Sequence, residues 1–447
     1  MKSPKLLVVP VEVKAREFVA KIFFACAAAE RGYEVVVGER QRLYADIIPV
    51  ERPGLIVEHD VTAAHRTSFP WMKRLGHKIV AWDEEVIAQP SGAWYVSRRI
   101  CADVVEMVEG YLAWGEEQVK WITDAHPHLS GKLVVTGNPR IDILRPELSP
   151  YFQPEAQGYM QRFGRYILIN SNFNRVNLFH GERAAFIESV ARSAGLSDNW
   201  KSYYRSFIEH SEKTFKAYVD ILPQLSVRFP QFQIVIRPHP AENPEPWHKA
   251  VESLPNVHVL YEGTANALVL GAAALVHSGC TTAVEAAILG VPVIEYAPID
   301  STDLFLPLPR AVSQCADNPA ALFELLVDVL SSQSPSQFGE RALKHSIHAV
   351  QGPLATENIL DFLSTLEPDR GDVVFRFIKR SRALARRIIG KAKRPETSGV
   401  RYARHKFPDT PLEEIQRVVS SFSTISGRFK RVKIDQIADN CFRIRCI

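Results

Sequence analysis

The fold is decided near the N-terminus, where residues 5–38 read KLLVVPVEVKAREFVAKIFFACAAAERGYEVVVG. A short apolar run at 5–11 is followed by a segment of helical periodicity at 17–31, which Gly32 ends, and a second apolar run occupies 34–38. A strand, a crossover helix and a second strand are the unit from which parallel sheets are built. The stretch therefore predicts a parallel α/β domain.

The same pattern continues along the chain and then restarts. Apolar runs that predict strands follow at residues 55–57, 78–82, 110–113, 132–136, 166–170, 233–237, 257–261, 274–277 and 292–295. Residues 146–157, rich in Pro, Glu and Gln, interrupt the series as an interdomain linker does. We therefore predict two doubly wound, Rossmann-like domains, at residues 1–150 and 158–350, which face each other across a cleft. Ligands in such folds bind at the carboxyl ends of the strands.

Composition excludes several classes of protein. The chain has 447 residues, 46% of them apolar, and a net charge of +4, which is too small to indicate nucleic acid as a partner. Its six cysteines are scattered, which argues against a disulfide framework or a zinc site and favours a cytoplasmic location. No apolar stretch has the roughly 18 residues of a membrane span, so we expect any membrane contact to be peripheral.

The C-terminal extension, residues 351–447, has a different character. Residues 372–394 contain nine Lys and Arg but only one acid, Asp372, and the basic residues are interspersed with apolar ones. This pattern predicts a basic amphipathic helix, either lying on an anionic membrane surface or packing its apolar stripe on the second domain. We favour the membrane, because each Lys or Arg near an anionic surface contributes about 1 kcal/mol.

Two motifs of the second domain suit a phosphate. Arg237-Pro238-His239-Pro240 follows a predicted strand, where the prolines stiffen the backbone and Arg237 and His239 are donors to phosphate oxygens. The alternative is a strand end with a surface histidine.

The second motif is a turn of small residues between a predicted strand and a helix. Gly279 permits a tight turn, and Ser278, Thr281 and Thr282 place hydroxyls beside the unpaired amides of the helix N-terminus. Glu285, one turn later, is placed to reach a ribose hydroxyl. An ordinary helix cap is the alternative, and it is compatible with phosphate binding.

Three adjacent carboxylates, Asp83, Glu84 and Glu85, follow a strand of the first domain. Like charges repel, so we expect at least one raised pKa if the group is enclosed. An ionised and a neutral carboxylate together would serve covalent catalysis and proton transfer. The acidic first turn of a helix explains the motif equally well.

Polar residues at further strand ends suit hydrogen bonds to a sugar or a base, although turn chemistry and helix starts also explain them. These cleft candidates are Arg16, Glu17, Asn138, Arg140, Asn170 and Asn172.

Together the motifs resemble a family of bacterial surface carbohydrate biosynthesis proteins, related to the retaining β-Kdo glycosyltransferases of capsule, O-antigen and lipopolysaccharide assembly. The resemblance spans about residues 5–300. The His-Pro and Ser/Thr pairing also resembles that of sialyltransferases that use CMP-sugars. The resemblance to the surface carbohydrate biosynthesis family is carried by the motifs Arg16-Glu17, Glu30-Arg31-Gly32-Tyr33, Trp82-Asp83-Glu84-Glu85, Gly137-Asn138-Pro139-Arg140-Ile141-Asp142, Asn170-Ser171-Asn172-Phe173, Arg237-Pro238-His239-Pro240 and Ser278-Gly279-Cys280-Thr281-Thr282 with Glu285.

The resemblance implies a metal-independent glycosyltransferase of GT-B fold. The first domain would bind a lipid-linked or polysaccharide acceptor and the second a CMP-sugar donor such as CMP-Kdo, with no cofactor. Asp83 would be the covalent nucleophile of a double displacement, with Glu84 or Glu85 assisting proton transfer. The departing CMP phosphate would be held by His239, Ser278, Thr281 and Thr282. The protein would act in the cytoplasm, at the inner face of the cytoplasmic membrane.

Other functions stay open. A UDP-sugar epimerase or a polyol-phosphate transferase has a similar fold and similar polar turns. A non-catalytic GT-B scaffold is the alternative outside enzymes.

Overall fold

A computed structural model describes residues 4–178, 198–300, 304–332, 338–389 and 406–447 of the protein. The chain forms two compact α/β units. The first contains residues 1–86, 91–151 and 344–447, and the second contains residues 87–90 and 152–343. We describe each unit by itself.

The strands are short, as expected for buried parallel sheets. They are β1 (Lys5–Val11), β2 (Tyr33–Glu39), β3 (Leu55–Glu58), β4 (Lys78–Ala81), β5 (Gly110–Ala113), β6 (Leu133–Val135), β7 (Tyr166–Asn170), β8 (Gln233–Arg237), β9 (Val257–Val259), β10 (Ala274–His277), β11 (Val293–Tyr296), β12 (Gln314–Ala316), β13 (Val432–Ala438) and β14 (Cys441–Cys446).

Helices follow most of the strands. They are α1 (Lys14–Glu30), α2 (Arg40–Arg42), α3 (Ser68–Arg74), α4 (Gly92–Arg99), α5 (Ala102–Val105), α6 (Glu116–Ala125), α7 (Pro139–Asp142), α8 (Gln153–Phe163), α9 (Asp198–Arg228), α10 (Glu245–Val251), α11 (Ala265–Leu270), α12 (Thr282–Ile288), α13 (Pro307–Ala311), α14 (Pro319–Ser331), α15 (Glu340–Ser346), α16 (Ala355–Ser364), α17 (Val373–Ile389) and α18 (Leu412–Ser426).

The sheet of the first unit has the strand order β13-β14-β2-β1-β3-β4-β5-β6. Strands β1 to β6 run parallel, and the hairpin β13–β14 adds antiparallel to β2. Gly38 permits this close pairing, since a Cβ there would lie 2.2 Å from the backbone oxygen of Asn440. Residues 351–447, which the sequence sets apart as an extension, therefore supply two strands to the first sheet.

The sheet of the second unit is parallel throughout, with the order β12-β11-β10-β7-β8-β9. Its core is built from the apolar strand residues and one face of the long helix α9. The predicted α/β fold class is confirmed, since each unit is built on one mainly parallel, Rossmann-like sheet. The predicted linker at 146–157 is wrong over its last five residues, because α8 begins at Gln153 with a proline in its first turn.

Helix α17 occupies most of the predicted basic segment. The remaining basic residues predicted for this segment, Lys391, Lys393 and Arg394, lie outside the described residues. Within the described ranges, no helix combines the length and apolarity needed to cross a bilayer.

Candidate functional site

The carboxyl edge of the first sheet carries a chain of buried ion pairs. Lys21 of α1 lies 2.8 Å from Glu17 and 3.3 Å from Glu84, which follows β4. Trp82 also donates to Glu84 through its indole N–H, at 2.8 Å. Burial alone would raise the pKa of Glu17, but Lys21 and Arg16 reverse the effect and leave that pKa lowered. Glu17 and Glu84 are therefore held as enclosed members of a charge network.

Asp83 is fully enclosed. Arg99 of α4 donates to both of its carboxylate oxygens, at 2.7 and 2.8 Å, and the side chain of Asp83 has no exposed surface. The backbone N–H of Glu85 also donates to Asp83, at 2.8 Å. Burial raises the pKa of Asp83, and Arg99 opposes that shift. A sugar can reach this carboxylate only after Arg99 moves.

Glu85 is the accessible member of the three carboxylates. Its side chain is 36% exposed and pairs with Arg16, itself 27% exposed. The neighbouring Glu84 is only 1% exposed. The three adjacent acids thus have three environments, and Glu85 is the one that a ligand can touch.

The segment Gly137-Asn138-Pro139-Arg140 is hydrogen-bonded to the residues that follow β4 at this edge of the first sheet. The Asn138 side chain accepts from the Arg140 backbone N–H and begins α7. Arg140 is buried and donates to the backbone oxygen of Glu84, at 3.0 Å. Asp142 accepts from the Ala355 and Thr356 amides, which caps α16.

A second cluster at this edge was missed by the sequence reasoning. His59, directly after β3, lies 2.8 Å from Glu12 and 3.0 Å from Asp60, and Asp60 lies 3.1 Å from His65. Burial alone would lower the pKa of His59, but the carboxylates around it raise that pKa well above its usual value. The available signal was Glu58-His59-Asp60 at the end of a predicted strand, the same position that drew attention to Asp83.

Among the residues that the structure describes, Glu58, His59 and His65 form the group that could hold a metal. Their candidate ligand atoms all lie within 4.8 Å of one another, and neither oxygen of Glu58 accepts a hydrogen bond. However, the guanidinium of Arg40 lies 2.8 Å from His59, and a fixed cation at this distance opposes a second one. We therefore retain the expectation of metal-independent chemistry.

The carboxyl edge of the second sheet carries mostly neutral polar side chains, arranged around one buried carboxylate. His239, in the loop after β8, accepts at Nδ1 from the Ala241 backbone N–H, at 3.1 Å. The side-chain amide of Asn174, in the loop after β7, lies 3.3 Å from the same nitrogen. Because Nδ1 accepts from a backbone N–H, the neutral tautomer of this ring carries its proton on Nε2.

Glu242 organises this edge and was also missed by the sequence reasoning. Its buried carboxylate accepts from Ser171 at 2.9 Å, from the Phe173 backbone at 2.7 Å and from Trp247 at 3.0 Å. It also accepts from the backbone N–H of His239 at 3.3 Å, so it joins the loop after β7 to the loop after β8. The available signal was a single acid directly behind the Pro-His-Pro loop.

The turn after β10 is shaped by a neutral histidine. Burial lowers the pKa of His277 to about 3. Its Nδ1 accepts from the backbone N–H groups of Gly279 and Cys280, at 3.0 and 3.2 Å. Gly279 has a φ of +78°, a conformation that favours glycine. These two amides are therefore committed to the turn and are not available as donors to a ligand.

Two buried polar atoms at this edge, Ser278 Oγ and Asn170 Oδ1, have no hydrogen-bond partner among the described residues. The amide nitrogen of Asn170 donates to Thr282 Oγ1 at 3.0 Å, and that of Asn172 lies 3.5 Å from the Gly279 oxygen. The loop after β7 is thus bonded to both the His239 loop and the Ser278 turn. Buried polar atoms are costly to leave unpaired, so these two mark a place where a polar ligand fits.

The remaining predicted residues of the second unit have less direct positions. Arg237 donates to the backbone oxygens of Glu262 and Gly263, at 2.7 and 2.6 Å, so its guanidinium anchors a turn. The backbone oxygen of Pro240 accepts from a tyrosine hydroxyl. Thr281 and Glu285 are half-buried near the start of α12.

Comparison with known proteins finds distant structural similarities and no family. The chain matches no protein-family model and no curated protein. It is similar to the UDP-GlcNAc 2-epimerase from Neisseria meningitidis bound to UDP-GlcNAc, at 15% identity over 81% of this chain and 99% of the other, with a TM-score of 0.44. It is also similar to the UDP-GlcNAc 2-epimerase from Methanocaldococcus jannaschii, at 11% identity over 76% and 98%, with a TM-score of 0.44. The wall teichoic acid polymerase TagF is similar at 11% identity over 82% and 89%, with a TM-score of 0.49.

Proposed function

We propose that the protein is a glycosyltransferase that uses a CMP-activated ulosonic acid, CMP-Kdo by resemblance, to extend a bacterial surface polysaccharide with retention of configuration. The observation that carries the proposal is the neutral donor edge of the second unit. There the His239 ring accepts at Nδ1 from a backbone amide, and, within the described part of the chain, the Ser278 hydroxyl and the Asn170 carbonyl are buried without hydrogen-bond partners.

The charge of this edge favours a nucleoside monophosphate. Arg237 is the only cation among the predicted nucleotide-binding residues, and its guanidinium is committed to two backbone carbonyls. Neutral donors balance the single charge of a CMP-sugar phosphodiester better than the two charges of a UDP-sugar diphosphate. The charge balance at this edge supports CMP as the departing group without a bound metal.

The charged edge of the first unit supports the chemical step. We assign Glu85 as the reacting carboxylate, because it is 36% exposed while Asp83 is fully enclosed. Its oxygen would attack the anomeric carbon, the bond from that carbon to the phosphate oxygen would break, and CMP would leave. The acceptor hydroxyl would then attack the same carbon, the bond from that carbon to the Glu85 oxygen would break, and the hydroxyl proton would pass to the released carboxylate.

The test is incubation with CMP-Kdo in the absence of acceptor, followed by intact-mass analysis and peptide mapping. We expect a sugar adduct on Glu85 that is lost in Glu85→Gln. An adduct on Asp83 would keep the transferase and restore the nucleophile predicted from the sequence. No adduct and no CMP release, with tighter binding of UDP than of CMP, would replace the proposal by a UDP-sugar epimerase or a related transferase.

A further inference from the structure

Helix α17 turns its apolar face to solvent. Five of the eleven large apolar side chains exposed in the described part of the chain lie on this one helix. They are Val373, Val374, Phe377, Ile378 and Leu384, with exposed fractions of 75, 69, 71, 41 and 42%. Their spacing places them on one side of the helix, so they form a continuous stripe that we call the outer face.

The opposite side of α17 fixes the helix to the first unit. Arg74 packs over the ring of Phe375, 4.3 Å from its centroid, and its Nη2 lies 2.8 Å from Asp372. Lys379 lies over the ring of Trp71, 4.9 Å from its centroid, and Ala383 is buried. These contacts hold the helix in the orientation that exposes the outer face.

Basic residues flank the outer face. At 100° per residue, Arg376 and Arg380 lie on one side of the stripe and Arg382 on the other. The sequence of α17 contains no acidic residue from Val373 to Ile389. An apolar stripe bordered by cations matches the boundary between the acyl chains and the anionic headgroups of a bilayer.

We propose that α17 binds an anionic lipid surface in the plane of the interface, with the outer face among the acyl chains and the arginines among the headgroups. Charge complementarity commits the proposal to this occupant, since each cation near an anionic surface strengthens binding by roughly fivefold. The inference is independent of the glycosyl transfer proposed above, and its test needs no substrate.

The experiment is flotation of the full-length protein with vesicles of phosphatidylglycerol and phosphatidylcholine, compared with phosphatidylcholine alone. We expect binding to the anionic vesicles, at least tenfold weaker binding to the neutral ones, and release by high salt. Val374→Ser with Phe377→Ser should reduce binding at least tenfold, as should Arg380→Gln with Arg382→Gln. All four positions are exposed or at the surface of the helix, so we expect unchanged thermal unfolding.

The matched control is Val227→Ser with Val327→Ser, which removes two exposed valines from the second unit and should leave flotation unchanged. Equal binding to neutral vesicles would overturn the proposal. The absence of binding to anionic vesicles would also overturn it, and a concentration-dependent dimer that Phe377→Ser disrupts would then show that a second copy of the chain covers the outer face.

Discussion

The two sheets end in edges of opposite character. The first edge is charged and alternates acids with bases, as in the chain from Arg16 through Lys21 to Glu84. The second presents neutral hydroxyl, amide and imidazole groups around one buried carboxylate, Glu242, and its two central histidines, His239 and His277, both accept hydrogen bonds from backbone amides. Carboxylates such as those of the first edge can exchange protons and act as nucleophiles at carbon. Neutral donors such as those of the second edge can bind an anion and still release it. Under the proposed function, the chemical step would therefore belong to the first unit and nucleotide binding to the second.

The largest effect is expected when the accessible carboxylate of the charged edge, Glu85, is removed. Glu85→Gln should lower the rate of sugar transfer by about 10²–10⁴, because the carboxylate that meets the sugar is lost. Affinity for CMP, measured by calorimetry, should stay within twofold. The control is Asp124→Asn, an exposed acid of the same unit, which should leave the rate unchanged. A rate near that of the native chain would remove Glu85 from the reaction.

The next effect concerns the carboxylate that organises the neutral edge. Glu242→Ala leaves the buried donors of Ser171, Phe173 and Trp247 without an acceptor, at about 1–3 kcal/mol each. We expect the free energy of unfolding to fall by about 3 kcal/mol or more, as read from urea denaturation. Affinity for CMP should fall as well, because the His239 loop loses its support. Glu242→Gln should recover much of the stability, and equal losses in both variants would contradict a positioning role for the acceptor oxygens.

A smaller effect concerns His239 itself. His239→Ala should weaken CMP binding by about 10–100-fold, the value of one hydrogen bond to a charged group. His239→Gln retains a side-chain N–H and should recover part of the affinity. The control is His248→Ala, which removes an exposed histidine of the same unit. Similar calorimetric titrations of His239→Ala and His248→Ala would separate His239 from the nucleotide.

The titration of the buried histidines sharpens the comparison further. Burial lowers the pKa of His277 to about 3, against about 6.5 in the unfolded chain. The unfolded chain therefore binds an additional proton in this interval, so the stability contributed by neutral His277 is lost as pH falls below 6.5. The loss amounts to about 2 kcal/mol between pH 6.5 and 5.

The dependence of stability on pH has the opposite sign for His59 in the charged edge, because the pKa of His59 is raised. Its contribution is complete below about pH 6.5 and is lost as pH rises through the raised pKa. Denaturation curves at several pH values should show a flatter acid limb in His277→Asn and a flatter alkaline limb in His59→Asn. An unchanged acid limb in His277→Asn would mean that His277 is already protonated in the folded protein.

The smallest expected effect is that of a chelator. Because Arg40 lies 2.8 Å from His59, we expect EDTA to change neither the transfer rate nor the thermal unfolding of the protein. A loss of either property that Zn²⁺ or Mg²⁺ restores would identify a metal at Glu58, His59 and His65.

The fold was largely predictable from sequence because its strands are continuous apolar runs. The hairpin β13–β14 was not predicted, since in CFRIRC arginines alternate with apolar residues over only six positions at the sheet edge. Helix α8 was obscured by its proline, which sits in the first turn, where a helix tolerates it.

The site was predictable as a set of strand ends but not as a set of partners. Asp83, Glu84 and Glu85 are adjacent in sequence, yet their cations are Arg99, Lys21 and Arg16, which come from other elements. Local sequence carries no record of such long-range pairs. His277 shows the same limit, because only the fold reveals that it consumes two amides of the turn that would otherwise bind an anion.

The most direct test of the central claim is calorimetric titration of the protein with CMP and with UDP, in the presence of EDTA. The neutral edge predicts that CMP binds at least tenfold more tightly than UDP, and that His239→Ala removes most of the difference. Tighter binding of UDP, with or without His239, would contradict the claim that this edge receives a nucleoside monophosphate.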